Sequence, residues 1–193
     1  MKRRIELREE RKKPLMRIKE AASAIAWLTV GVMLLTTCGC SLLMVPEDVH
    51  YGSEVGDVAY DFQVPSTDGG EVVLSHLRGH VVLIEFWASW CGPCRTSMPH
   101  IRALRERFHD DGLIVIAVSA DSTEQAAEQY LESNGYEGFV SIWEPRDKGT
   151  RIIRTNEIDW IPRSVVVDRQ GVIRYNGHAM DLEADFIAGL MAE

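Results

Sequence analysis

An α/β fold is what the sequence predicts for residues 55–193. Apolar runs of strand length alternate there with segments whose apolar residues recur at helical spacing. One run, Val81-Val82-Leu83-Ile84-Glu85-Phe86-Trp87, is almost wholly apolar, as expected of a strand buried on both faces. A Cys-x-x-Cys pair, Cys91 and Cys94, stands between that run and the helical pattern Met98, Ile101, Leu104, Phe108. The first cysteine therefore falls at a strand-to-helix turn.

In chain order, the first element is a charged leader. Residues 1–20 hold nine Lys/Arg and four Asp/Glu, a net of +5, while the remainder carries 12 basic and 25 acidic residues, a net of −13. From Ala21 to Pro46 there is no charged residue. Such a stretch is long enough to span a bilayer, which takes about 20 residues. Its basic flank is N-terminal, so the positive-inside rule keeps residues 1–20 in the cytoplasm and exports everything after Pro46. A buried core helix is the competing reading, and both length and flank count against it. Leu35-Thr36-Thr37-Cys38-Gly39-Cys40-Ser41 is similar to a bacterial lipoprotein cleavage region, with Cys38 or Cys40 as the lipid-bearing residue. Thr37 departs from the usual pattern in either register. A start at Met16 would give an ordinary signal-peptide n-region. A cleaved lipoprotein and an uncleaved signal anchor both stay open, and both place the domain on the extracytoplasmic side of a bacterial envelope membrane. Residues 1–45 are thus expected as basic leader plus signal or anchor, 46–54 as linker, and 55–193 as the folded domain.

Within that domain, Val81–Phe86 is predicted as a strand and the Met98–Phe108 pattern as the helix after it. Leu113–Val118 is a second apolar strand. Glu124–Ser133 is a short helix with Ala126, Ala127, Tyr130 and Leu131 as inward positions. Phe139–Trp143 is a weaker strand. Ser164–Val167 and Val172–Tyr175 form a hairpin around Asp168-Arg169-Gln170-Gly171, with Gly where φ can be positive. Leu182–Met191 is the closing helix.

Composition agrees with this organisation. A length of 193 residues suits one domain plus an extra segment, and 46% hydrophobic with 26% charged residues is ordinary for a globular chain. A net charge of −8 argues against a nucleic-acid partner, which calls for a basic patch.

Trp90-Cys91-Gly92-Pro93-Cys94 carries the chemistry. Free N–H groups and the positive end of a helix dipole favour a thiolate at Cys91. The thiolate is the species that attacks disulfides. Cys94 lies one helical turn on, close enough to bridge back. Pro93 takes an early helical position, where its missing N–H costs little. Half a zinc site is the first bland alternative, but a structural zinc needs about four ligands, and the other cysteines, Cys38 and Cys40, lie in the apolar stretch. A purely structural disulfide is the second, and a loop of about four residues would constrain the unfolded chain little.

Glu85-Phe86-Trp87-Ala88-Ser89-Trp90-Cys91-Gly92-Pro93-Cys94-Arg95 resembles the active-site strand and helix of the thioredoxin superfamily. From about Val55 onward the chain is similar to its membrane-anchored, extracytoplasmic TlpA/ResA-like branch of thiol-disulfide oxidoreductases. Asp61-Phe62-Gln63-Val64, leading through Asp68-Gly69-Gly70 to Val72-Val73-Leu74-Ser75, matches that branch's opening hairpin. Leu77-Arg78-Gly79-His80 matches the entry to its first long strand. The run Trp160-Ile161-Pro162-Arg163-Ser164 to Val172-Ile173 matches its proline-bearing hairpin segment. The resemblance implies a thioredoxin-like fold: a mixed central sheet flanked by helices, an N-terminal β-hairpin, and a central insertion between Val118 and Trp160 that adds a helix and a strand.

It also implies roles. Cys91 and Cys94 would form the redox-active disulfide, with no other cofactor and no metal. Pro162 would be a cis-proline presenting the backbone of Ile161 to an extended substrate. Trp90, Gly92, Pro93, Ile161 and Pro162 would contact substrate, and Trp160, in place of the usual small residue, would narrow or reshape the groove. Glu85 takes a position where relatives often hold a buried acid near the second cysteine. A desolvated carboxyl there could accept the Cys94 proton; a partly exposed strand-end glutamate is the alternative. Trp87 reads as packing. Partners would be exported protein thiols or disulfides, such as apocytochrome c or copper-site cysteines, with a membrane thiol carrier as electron donor. The Gly92-Pro93 dipeptide resembles that of reducing members, so reduction is the expected direction.

Three alternatives compete. A disulfide oxidase or isomerase is the first. Copper-site assembly or metallochaperone-type binding is the second, with Met98, His100, His178 and Met180 joining the cysteines by ligand type. A peroxidase is the third and weaker, since such enzymes set a lone cysteine in a Pro/Thr-rich loop. His50, His76, His80 and His109 read as solvated.

Overall fold

The computed structural model describes residues 49–144 and 151–193. The uncharged stretch, Cys38 and Cys40 lie outside them. Among the described residues no helix is long and apolar enough to cross a membrane.

Two small strand pairs precede the main sheet. β1 (Tyr51–Gly52) runs parallel to β2 (Val58–Ala59), so part of the segment expected as linker is paired. β3 (Gln63–Pro65) and β4 (Glu71–Val73) form the expected antiparallel hairpin, with Val64 opposite Val72.

The main sheet is built from β5 (Val81–Trp87), β6 (Leu113–Ser119), β7 (Val140–Trp143), β8 (Arg163–Val167) and β9 (Ile173–Gly177), in the spatial order β7-β6-β5-β8-β9. β5 runs parallel to β6, and β6 to β7. β5 and β8, and β8 and β9, are antiparallel. Parallel neighbours need crossover connections. α1 (Gly92–Phe108) supplies the first and α2 (Glu124–Ser133) the second. Thr123 caps α2 by accepting a 3.3 Å hydrogen bond from the Ala126 amide. The fold is therefore the mixed-sheet, thioredoxin-like α/β arrangement.

Every residue of the central strand β5 is buried. Side chains alternate across a strand, so the two faces feed two cores. Val81, Leu83 and Trp87 pack with Met98, Ile101, Leu104 and Phe108 of α1 and with Ala127 and Leu131 of α2. Val82, Ile84 and Phe86 pack with Val64 and Val72 of the opening hairpin and with Ile152 of α3 (Arg151–Thr155). Burial of each large aliphatic here contributes about 1.5–3 kcal/mol. Of the four inward positions expected on α2, Ala127 and Leu131 are buried, while Ala126 and Tyr130 are half-buried.

The structure corrects several boundaries. β5 runs on to Trp87, which pairs with Ser119. β7 begins at Val140, because the Phe139 amide is used in a turn to the Tyr136 carbonyl. β9 begins at Ile173, because the Asp168 carboxylate takes the amides of Gln170 and Val172 at 2.9 and 2.8 Å. Gly171 in that turn has φ +87°, and the Arg78 guanidinium carbon lies 1.8 Å from where a Cβ would stand. The positive φ favours glycine there, whereas the flexible Arg78 side chain could move aside. The closing helix α4 (Ala184–Ala192) starts two residues late, after a 3-10 turn over Ala179–Asp181. The central insertion holds α3 besides the helix and strand expected there.

Candidate active site

The site forms where β5 ends, α1 begins and β8 starts. Cys91 is the N-cap residue of α1, with φ −80° and ψ 107°. Gly92 and Pro93 open the helix, and Cys94 follows at the third position, where its amide has no intrahelical partner. That amide donates to Cys91 Sγ at 3.2 Å. The two sulfurs are joined in a disulfide, with the Cα atoms 5.2 Å apart. Cys91 retains 6% exposure and Cys94 none. Trp90, just before them, is 59% exposed.

The antiparallel register brings the distant segment in. Phe86 lies opposite Arg163, so the residues before β8 stand beside the loop that leads into α1. The Ile161–Pro162 peptide is cis, as the resemblance implied, and the Ile161 carbonyl oxygen lies 4.0 Å from Cys91 Sγ. Trp160 is 44% exposed.

The loop leading into α1 is held from β6. Asp121 is buried and accepts hydrogen bonds from the Ser89 amide at 3.0 Å, the Ser89 hydroxyl at 2.8 Å and the Ser119 hydroxyl at 2.8 Å. The Cys91 amide then closes a turn onto the Ala88 carbonyl at 3.1 Å.

Glu85 is fully buried, not a strand-end surface residue. Strand alternation places it on the same face as Leu83 and Trp87, beneath α1. Ser164, directly opposite on β8, donates its hydroxyl to Glu85 Oε2, whereas Oε1 has no hydrogen-bond partner. Desolvation pushes the Glu85 carboxyl up to about 8, with the Ser164 and Ser97 hydroxyls pulling the other way. Ser97 is also buried and donates to the Cys94 backbone carbonyl at 3.0 Å. A carboxyl held up to about 8 can act as a proton acceptor near neutral pH.

Asp121, Ser97 and Ser164 were not singled out from the sequence. Ser164 and Glu85 could have been linked only by the β5–β8 register. Three of the residues grouped by ligand type for copper have structural contacts, while the Met180 side chain is exposed. Met98 is in the core, a ring nitrogen of His100 lies 2.8 Å from the Leu182 carbonyl, and His178 accepts the Met180 amide at 3.1 Å. Among the described residues no three His, Cys, Asp or Glu side chains converge as a metal site. Trp87 is buried packing, its ring centroid 5.2 Å from that of Tyr130.

Residues 55–176 match the AhpC/TSA family model. A thiol-disulfide oxidoreductase ResA from Bacillus cereus is 30% identical over 145 residues, covering 74% of this chain and 82% of that protein. A crystal structure from Chlorobium tepidum, assigned as thiol:disulfide interchange protein DsbE, aligns with TM-score 0.63 and 31% identity over 71% of this chain and 98% of that one. A solution structure from Bacteroides thetaiotaomicron, assigned as a protein disulfide isomerase, aligns with TM-score 0.60 and 30% identity over 72% and 87%. With a bonded Cys-x-x-Cys pair at a helix N-terminus on this fold, the chain belongs to the AhpC/TSA family and is a thioredoxin-like, ResA-related thiol-disulfide oxidoreductase.

Proposed function

We propose that the protein reduces disulfides of exported proteins, with Cys91 as nucleophile and Cys94 as resolving thiol. The observation that carries the assignment of Cys91 as nucleophile is the Cys94 amide donating to Cys91 Sγ at 3.2 Å, at the N-terminus of a 17-residue helix. A free N–H and the positive helix end favour the Cys91 thiolate. The difference in burial supports the same order, since an incoming disulfide meets Cys91 before the fully enclosed Cys94.

In the reduced protein, the Cys91 thiolate attacks one substrate sulfur. The substrate S–S bond breaks, a mixed disulfide forms, and the other substrate sulfur leaves as thiolate. Cys94 gives its proton to ionised Glu85 and attacks Cys91 Sγ. The second substrate thiolate leaves, and the Cys91–Cys94 disulfide closes. Two electrons have passed to the substrate, and a membrane thiol carrier returns them. The exposed face of Trp90, with Gly92, Pro93, Ile161 and cis-Pro162, forms the surface against which an extended substrate segment lies.

Export is supported by the uncharged stretch from Ala21 to Pro46 behind a leader of net charge +5. Attachment through Cys38 or Cys40, or through an uncleaved anchor, would hold the domain at the outer face of the membrane.

Direction rests on Pro93, which offers the Cys91 thiolate no N–H. The Cys94 amide acts the other way and favours an oxidase or isomerase as second reading, because stabilising the reduced form raises the potential. Titration of the pair against glutathione and dithiothreitol decides between them. A potential near about −270 mV is expected of the reductant, and one near about −120 mV would overturn it.

A further inference from the structure

The indole of Trp160 is held in place although almost half of its surface is open. The Arg163 guanidinium lies over its ring, 5.0 Å from the centroid. Arg163 in turn donates through Nε to Asn176 Oδ1 at 2.5 Å, and Asn176 Nδ2 donates to the Ser53 carbonyl at 2.7 Å. The other end of the loop is pinned by the same N-terminal segment, since the Ser53 hydroxyl donates to Glu157 Oε2 at 3.1 Å. Glu157 has φ 52°, a left-handed conformation that a non-glycine residue rarely adopts. Two separate tethers to Ser53 therefore fix the loop that carries Trp160. The next residue, Ile161, has its carbonyl 4.0 Å from Cys91 Sγ. An exposed aromatic held this way offers a large contact area at little ordering cost to a binding partner.

We propose that Trp160 is a specificity-determining residue: it is the fixed wall of the substrate groove beside Cys91, and it selects disulfides that carry an aromatic side chain next to the reacting cysteine. Arg163 and Asn176 act as positioning residues for that wall. The proposal rests on Cys91 being the nucleophile of a disulfide reductase. Aromatic pairs add about 0.5–1.5 kcal/mol beyond their buried area, which corresponds to a preference of roughly twofold to twelvefold.

The test uses two peptides, each closed by one disulfide and identical except for Phe or Gly next to a cysteine. The pre-reduced protein should turn over the Phe peptide with a kcat/KM several-fold above that for the Gly peptide. Trp160→Ala should bring that ratio to about one, and Trp160→Phe should restore most of it. Asn176→Ala should give an intermediate ratio. General damage to the fold lowers both rates together and leaves the ratio unchanged. A ratio unchanged in Trp160→Ala, or a ratio near one in the unmodified protein, overturns the assignment. Failure of the unmodified protein to reduce either peptide would instead overturn the reductase reading beneath it.

Discussion

Ser164 on β8 donates its hydroxyl to Oε2 of Glu85, the residue directly opposite it on β5, while Glu85 Oε1 is left buried with no partner. The Ser164 and Ser97 hydroxyls do not replace the water that an ionised carboxylate loses on burial. The acid is therefore held neutral well above the usual carboxylate range, at about 8.

That shift has a signed consequence for stability. Between the ordinary value of 4.5 and about 8, the unfolded chain has released the Glu85 proton and the folded chain keeps it. Stability from this group is complete below 4.5, falls by about 1.4 kcal/mol per pH unit as pH rises, and levels off above about 8. Urea unfolding of the oxidised protein at pH 5 and pH 9 should show wild type losing a few kcal/mol relative to Glu85→Gln. Parallel pH profiles for the two proteins would contradict the assignment.

The same residue should appear in the kinetics of resolution. Glu85→Gln should slow closure of the mixed disulfide by roughly a hundredfold, the lower end of general-base effects. The initial attack by Cys91 should change little. Rapid-quench separation of the two steps checks this; equal slowing of both would point to a packing defect.

Cys94→Ser should leave substrates bound covalently through Cys91, visible as adducts on non-reducing gels and released by dithiothreitol. Cys91→Ser should lose insulin-disulfide reduction altogether. Normal reduction by Cys91→Ser would reverse the assigned roles.

Asp121 is predicted to hold the loop before α1 in place. Asp121→Ala removes the acceptor for the Ser89 amide and hydroxyl and the Ser119 hydroxyl. An unsatisfied buried donor costs about 1–3 kcal/mol; Ser119 is buried and Ser89 half-buried, so a loss of about 2 kcal/mol is expected, with Asp121→Asn milder. Denaturant midpoints measure it, and a change below about 0.5 kcal/mol would show that the loop stands without Asp121.

Topology is open to a direct test. A periplasmic reporter fused after Glu193 should be active and a cytoplasmic one silent. Palmitate label lost on Cys38→Ala or Cys40→Ala would select lipid attachment, and label absent throughout would select the uncleaved anchor. Release of a soluble, unlipidated domain would contradict both.

Much of this molecule is set by short-range pattern. The continuous apolar run of β5 declares a doubly buried strand, because each of its two faces needs an apolar cover. Cys91 and Cys94 are three residues apart at a helix start, so their pairing is a local matter of helical geometry. Residues far apart in the chain were brought together only by the tertiary structure. That Glu85 lies on the α1 side of β5, with Ser164 opposite it, depended on the face it occupies and on the β5–β8 register. The approach of Ile161 to Cys91, across 70 residues, followed from the β5–β8 register. The tethers from Ser53 to Asn176 and Glu157 span 123 and 104 residues. No local periodicity encodes such contacts, because hydrogen-bond partners across a sheet are chosen by register and packing, and these exist only once the chain has closed on itself.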